Sequence, residues 1–468
     1  MAAPRPFSRL ALAAAVAFSL VLRPGIAAAQ LGPGETLIRD TEIEDILRRD
    51  ATPLFQAAGI ESKNIQIVLI GSKEVNAFAA PGVMAVNTGL ILQSDNPNQL
   101  QGVMAHEVGH LAGGHSFRSG EHERAGMVPM ILTMGLGVLA AIAGSGDAAA
   151  GLVSSAPYFG ALGAAGYGRE QESRADQAGA TLLEKAGLSG RGLAEFFDKY
   201  RYQEVFAQYR RYKYFIDHPL SSDRIEALQN RVAALPHYHV VDTPQALAEH
   251  EVMKAKLDGF LNPQLTLTKY DEKDTSYPAR YARAIAYYQL KEPDKALKRV
   301  DDLLAEQPNN PYLWELKGQI MFEFGQVPGA EAPQRRSVEL KPDAPLLRIN
   351  LGQTLVALND RKKTEEGIVE LKKALTQEND NATAWRILAE AYDKHGDEGL
   401  ARLATAEYDF NIGDMNQARE FAIRARERLP KDGPDWRRAT DIVLVSKPTR
   451  DELKDLGKEG SLAGAQVP

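Results

Sequence analysis

The sequence predicts a mainly α protein with a small β-sheet in its N-terminal domain, followed by an α-solenoid of tetratricopeptide repeats. Three observations predict it. Apolar residues recur at helical spacing from the start of the folded chain, at Ile43, Ile46, Leu47, Leu54 and Phe55. Residues 65–70, Ile-Gln-Ile-Val-Leu-Ile, are rich in β-branched side chains and read as a strand. From about residue 277, small residues recur 34 apart at Ala284, Gly318 and Gly352.

Length and composition bound the rest. A chain of 468 residues has room for two or three domains and a sizeable core. Its formal net charge of -7 gives no support to a nucleic-acid partner. There is no cysteine, which excludes disulfides, thiol catalysis and cysteine zinc sites. Any metal must therefore be held by histidine and carboxylate.

Residues 1–29 read as a secretory signal peptide. Arg5 and Arg9 precede an apolar run from Leu10 to Leu22, and Ala27-Ala28-Ala29 offers a small-residue cleavage site. The apolar run is short for a spanning helix. The expectation is an exported protein of bacterial type, located in the periplasm. The segment holds three arginines and no acid, so cleavage leaves a more acidic chain.

The domain that follows is expected over residues 30–236. Its first helix covers Glu42 to Phe55. After the 65–70 strand, Asn76-Ala77-Phe78-Ala79 and Val83-Met84-Ala85-Val86 flank Ala80-Pro81-Gly82 and read as a hairpin. The first of these strands is a candidate edge for binding an extended peptide, with a plain structural hairpin as the alternative.

A helix over about 97–113 carries His106-Glu107-Val108-Gly109-His110, and Gly113 ends it. Residues four apart share a helix face, so both imidazoles can address one ion. Glu107 sits where its carboxylate can serve as general base toward a water at that ion. His115 and His122 lie near in sequence; His115 is not four residues from either motif histidine and reads as flanking polar surface.

Residues 126–166 are apolar and rich in glycine and alanine, broken by Gly144-Ser145-Gly146-Asp147. Three readings fit: a hairpin covering the site, a surface making peripheral membrane contact, or a buried core hairpin. Glu172 and Asp176 then stand four apart on a further helix, sharing a face. A two-histidine site lacks a third ligand, which Glu172 can supply. Asp176 can accept the other ring N–H of a ligand histidine. An exposed ion-pair helix with Arg169 and Arg174 is the alternative in isolation.

His106-Glu-x-x-His110 followed by Glu172-x-x-x-Asp176 resembles the peptidase family that includes the CaaX prenyl protease and the HtpX membrane protease. Asn76-Ala77-Phe78-Ala79, Pro81-Gly82, Thr88-Gly89-Leu90 and the stretch from His218 to Ile225 are similar to it as well. The likeness spans roughly residues 40–230. It implies a gluzincin-type metallopeptidase domain with one zinc ion per chain, held by His106, His110 and Glu172, and Glu107 as base. The signal peptide and the repeats make the chain similar to the periplasmic BepA-like branch, whose members degrade or assist misassembled outer-membrane proteins. In that setting His218 has two readings: it stabilises the tetrahedral oxyanion, or it is a fourth ligand that latches the site. Arg224 binds substrate backbone, orients a carboxylate, or serves only as ion-pair scaffolding.

Residues 237–276 read as a connector around one helical stretch, Gln245 to Phe260. The repeats are expected over 277–446. Ala296 and Ala330 follow twelve residues after Ala284 and Gly318, and Pro308 and Pro342 close the same units. Thr364 stands where alanine is expected, so the third unit is degenerate. Ala389, Tyr392 and Ala401 mark one later unit, and Ala406, Ala418 and Pro430 another. A polar flexible tail covers 447–468. Such a solenoid offers a groove for a protein partner, with outer-membrane assembly machinery as a candidate. The function expected is a zinc endopeptidase of the cell envelope acting on unfolded or misassembled proteins. The alternative is a chaperone or assembly factor that acts by binding, with zinc mainly structural.

Overall fold

The computed structural model describes residues 35–113, 168–201, 218 and 220–458, with side chains to residue 454. The signal peptide, His115, His122, the 126–166 segment and the end of the tail lie outside the described residues. The chain forms two compact units, one spanning Pro33–Leu261 and the other taking in Asn262–Pro468.

The first unit opens with β1 (Thr36–Ile38) and α1 (Thr41–Ala57). Asp40 caps α1 by accepting from the Ile43 N–H at 2.9 Å. The apolar positions read as helical, Ile43, Ile46, Leu47, Leu54 and Phe55, are all in the core. β2 (Gln66–Gly71), β3 (Ala77–Ala80) and β4 (Val83–Asn87) complete a sheet of order β1-β2-β4-β3. β3 and β4 form the expected hairpin, with Ala77 opposite Val86 and Ala79 opposite Met84. Gly82 turns it at φ +85°, a conformation that side chains disfavour. β4 pairs in parallel with β2, which leaves β3 as the last strand of the sheet.

α2 (Thr88–Gln93) leads into α3 (Pro97–Ala112), the helix of the histidine motif. A second helix, α4, covers residues 168–185, followed by α5 (Arg191–Lys199) and α6 (Ser222–Ala233). α3 lies at the centre of this unit. Leu100, Val103, Met104 and Val108 are buried together with residues of α1, the sheet, α5 and α6.

The stretch read as a connector is not one continuous link. Its helix, α7 (Pro244–Leu261), is part of the first unit, and Met253 and Leu257 enter that unit's core. Lys256 is buried there between Asp40 at 2.8 Å and Glu42 at 3.0 Å. Polar His250 and Lys256 on the buried face are what broke the apolar pattern in the sequence.

The second unit is a run of antiparallel helices. Pairs form at Tyr277–Gln289 with Pro293–Glu306, Pro311–Glu323 with Val327–Leu340, and Pro345–Ala357 with Arg361–Leu375. The period-34 glycines sit at close crossings. A Cβ on Gly318 would meet the Gln334 side chain at 2.7 Å, and one on Gly352 would meet Leu371 at 2.7 Å. The degenerate third unit is still a helix pair; buried Thr364 donates its hydroxyl to the Asp360 carbonyl. Further on, Ala401 and Ala406 fall on one helix, Glu398–Asn411, so the two later units overlap. Alternation instead pairs Ala382–His395 with Glu398–Asn411, and Met415–Arg426 with Pro434–Val445. No helix among the described residues is long and apolar enough to cross a membrane.

Candidate metal centre

The site is built on α3. Asn96 caps this helix by accepting from the Gln99 N–H at 2.9 Å, and Pro97 follows at the first helical position. His106, Glu107 and His110 are all buried. The two histidines project from one face, and their Nε2 atoms converge to 3.1 Å.

α4 crosses α3 at the motif, and two glycines set the distance. A Cβ on Gly109 would lie 2.9 Å from the Ala175 carbonyl oxygen, and one on Gly179 would lie 3.1 Å from the His106 nitrogen. This close approach brings Glu172 to the histidines. Its Oε2 lies 3.5 Å from His106 Nε2 and its Oε1 lies 3.3 Å from His110 Nε2. One turn on, Asp176 Oδ1 stands 2.9 Å from His106 Nδ1, the ring nitrogen that faces away from His110.

Two further residues enter from the chain around α6. Ser221 caps α6 on the Arg224 N–H. The Arg224 guanidinium donates to both Asp176 oxygens, at 2.8 and 2.9 Å, and lies 3.3 Å from Glu172. The Arg224 side chain is buried against these carboxylates. His218 places Nδ1 3.1 Å from Glu172 and Nε2 3.7 Å from Glu107 Oε1.

His106, His110, Glu172 and His218 each offer one ligand atom, and these atoms all lie within 4.8 Å of one another. A tetrahedral zinc with bonds of about 2.0–2.1 Å separates its donors by roughly 3.3 Å. The contacts of 3.1, 3.3 and 3.5 Å among His106, His110 and Glu172 bracket that spacing. The donors are imidazole and carboxylate, a set that suits zinc. The residues therefore fit the ion that the motif implies.

The local field points the same way. Burial alone would lower the His106 pKa, but Asp176 and Glu172 outweigh it and raise it to about 10. Burial works against the Glu172 carboxylate, yet contacts with His106, His110 and His218 hold it well below the usual carboxylate range. Asp176 is likewise lowered, against burial, by His106 and Arg224. His110, facing His106, is lowered chiefly by burial. The site is a buried pocket of negative charge that favours a cation.

Sequence reasoning did not single out the residues that hold α3 in place. Asn98 donates to the Ser189 carbonyl at 2.8 Å and accepts the Gly192 N–H at 2.8 Å. Gly102 lets the Leu193 backbone approach; a Cβ there would meet it at 2.7 Å. Phe197 of α5 sets its ring edge-on to His106, with centroids 5.5 Å apart. Thr88 donates to the Ser72 carbonyl at 2.9 Å, and Gly89 leaves no room for a Cβ beside Lys73 and Glu74. Of the edge candidates, Ala77, Phe78 and Ala79 stand on β3 and Asn76 directly precedes it; Asn76 and Ala77 are buried and Phe78 is half-buried.

Comparison with known proteins gives the same frame. The model of peptidase family M48 matches residues 38–232, and a tetratricopeptide repeat model matches residues 267–320. Metalloprotease LoiP of Escherichia coli K12 is 34% identical over 193 residues, covering 39% of this chain and 69% of that protein. The chain belongs to peptidase family M48. It is a zinc metalloendopeptidase of that family, with helical repeats after the peptidase domain. Two further relatives match across both units. The putative beta-barrel assembly-enhancing protease of Vibrio cholerae is 25% identical over 418 residues, 84% of this chain and 81% of its own. The beta-barrel assembly-enhancing protease of Escherichia coli K12 is 24% identical over 420 residues, 83% and 84%.

Proposed function

We propose that this chain is a periplasmic endopeptidase that clears misfolded or stalled outer-membrane proteins, with its repeats recruiting substrates or a partner from the assembly machinery. The observation that supports it most is the length of the likeness. Relatives named for beta-barrel assembly match over 418 and 420 residues, across the repeats as well as the peptidase domain. A likeness confined to the M48 domain would support proteolysis alone.

His106, His110 and Glu172 would hold one zinc ion per chain. When bound, that ion supplies Lewis-acid polarisation of the scissile carbonyl and acidifies the attacking water. Glu107 takes the proton of that water and delivers it to the leaving amine. Asp176 accepts from His106 Nδ1, which fixes the tautomer and leaves the Nε2 lone pair toward the ion. Arg224 neutralises and orients Asp176 and Glu172. The stretch from Asn76 through Ala79, at and just before β3, receives an extended substrate as an added strand. His218 lies at ligand spacing from Glu172, which favours the latch reading: at rest it would be a further ligand to the ion, and substrate would have to displace it.

The test presents purified full-length chain with an outer-membrane β-barrel protein, either unfolded in solution or folded in detergent. Cleavage of the unfolded form only, abolished by Glu107→Gln, is the expected result. Cleavage of both forms at equal rate would overturn the quality-control reading while leaving the peptidase intact.

A further inference from the structure

Away from the metal centre, Asp50 is a buried titratable group that the chemistry does not use. It lies on the core side of α1 and is 9% exposed. Its Oδ1 accepts a hydrogen bond from Gln101 Nε2 at 2.8 Å. Gln101 is on α3, five residues before His106, so this contact ties α1 to the metal helix. Two buried atoms of the same pair are left without a partner: Asp50 Oδ2 and Gln101 Oε1.

Both orphans are oxygens. As a carboxylate, Asp50 has only acceptors to offer, and so does the Gln101 carbonyl. Two buried acceptors left unmet are costly. A single proton on Oδ2 removes both, because the acid then donates to the amide oxygen while its other oxygen accepts from the amide nitrogen.

We propose that Asp50 and Gln101 form a proton-dependent clasp, in which a neutral Asp50 acid and the Gln101 amide share two hydrogen bonds and fasten α1 to the metal helix. The surroundings agree. Burial raises the Asp50 pKa to about 7 against the pull of the Gln101 bond. Glu249 on α7 and Asp242 before it add to the rise. Arg49 opposes it and is itself paired to Glu249 at 3.0 Å. The β2 strand behind α1 carries no titratable residue. A folded-state pKa above the unfolded value means that the folded chain binds more protons between the two. Stability from this group therefore falls as pH rises from about 4 to about 7, and the clasp is open above that.

The clasp predicts a specific rescue. Asp50→Asn keeps an acceptor for Gln101 Nε2 and supplies a permanent donor for Gln101 Oε1. It should mimic the protonated state at every pH. Hydrogen exchange of the full-length zinc-loaded protein, followed in peptides covering residues 100–110, is read at pH 5.5 and 8.5 in wild type and variant. Equal protection at pH 5.5 with several-fold slower exchange in Asp50→Asn at pH 8.5 supports the proposal. Faster exchange in the variant at both pH values, or the same ratio at both, overturns it. Infrared difference spectra of wild type against Asp50→Asn supply a second readout that needs no zinc. A protonated-carboxyl band should be present at pH 5.5 and gone at pH 8.5; its absence at pH 5.5 overturns the proposal even where exchange is altered.

Discussion

Gly109 is an unspecified position in the five-residue motif, and its replacement by alanine separates two opposing effects. In an exposed helix, Gly→Ala stabilises by about 1 kcal/mol. Here the new Cβ would lie 2.9 Å from the Ala175 carbonyl and 3.2 Å from the Ala178 Cβ. Ordinary carbon contacts are about 3.5–4.0 Å, so α4 must retreat by roughly half an ångström. Overpacking of this kind costs about 1–3 kcal/mol. The nearest atom is backbone and cannot rotate away, so the net expectation is a loss of up to about 2 kcal/mol. The larger effect falls on the ion. Glu172 rides on α4, and metal sites tolerate errors of only about 0.2 Å in donor position. Zinc affinity should drop roughly 10–100-fold, the size found when supporting groups of a metal site are lost. Competition with a chromophoric chelator measures it. A Gly109→Ala protein that is stabilised by about 1 kcal/mol and binds zinc as wild type does would refute the argument that this crossing sets the donor geometry.

Two other perturbations probe the same centre. Asp176→Ala should weaken zinc about 10–100-fold, because His106 loses its orienting partner. It should also cost about 3–5 kcal/mol of stability, because Arg224 is left buried without its main partner; Asp176→Ala with unchanged chemical denaturation would contradict the ion-pair account. Zinc uptake should release protons. With the His106 pKa raised to about 10, the metal-free histidine carries a proton at pH 7.5 that the ion must displace. Calorimetry in two buffers of different ionisation enthalpy should find about one proton released per ion, with affinity rising as pH rises toward 10. No release would mean that His106 is neutral before metal arrives.

Much of the site was legible in the sequence because helical spacing converts directly into geometry. His106 and His110, and again Glu172 and Asp176, are four apart, so each pair shares a face whatever the tertiary packing. What spacing cannot report is how two helices approach. Gly109 and Gly179 look like any glycines until a Cβ is built on each. Asn98, Gly102 and Phe197 act from neighbouring elements, and nothing local marks them. The same limit explains α7. A helix whose buried face carries His250 and Lys256 reads as polar, and only the partners Asp40 and Glu42, more than two hundred residues earlier, reveal it as core. In the repeats, the period of 34 was visible where small residues are required by close crossings. It failed at Ala401 and Ala406, which share a helix, because alanine is common enough in helices to imitate a register.

The most direct test of the central claim is cleavage of unfolded casein by the purified protein, with wild type, Glu107→Gln and His218→Ala side by side and zinc content measured in each. The account predicts zinc in all three, cleavage by wild type, faster cleavage by His218→Ala, and none by Glu107→Gln. A Glu107→Gln protein that holds zinc and cleaves at the wild-type rate would contradict it.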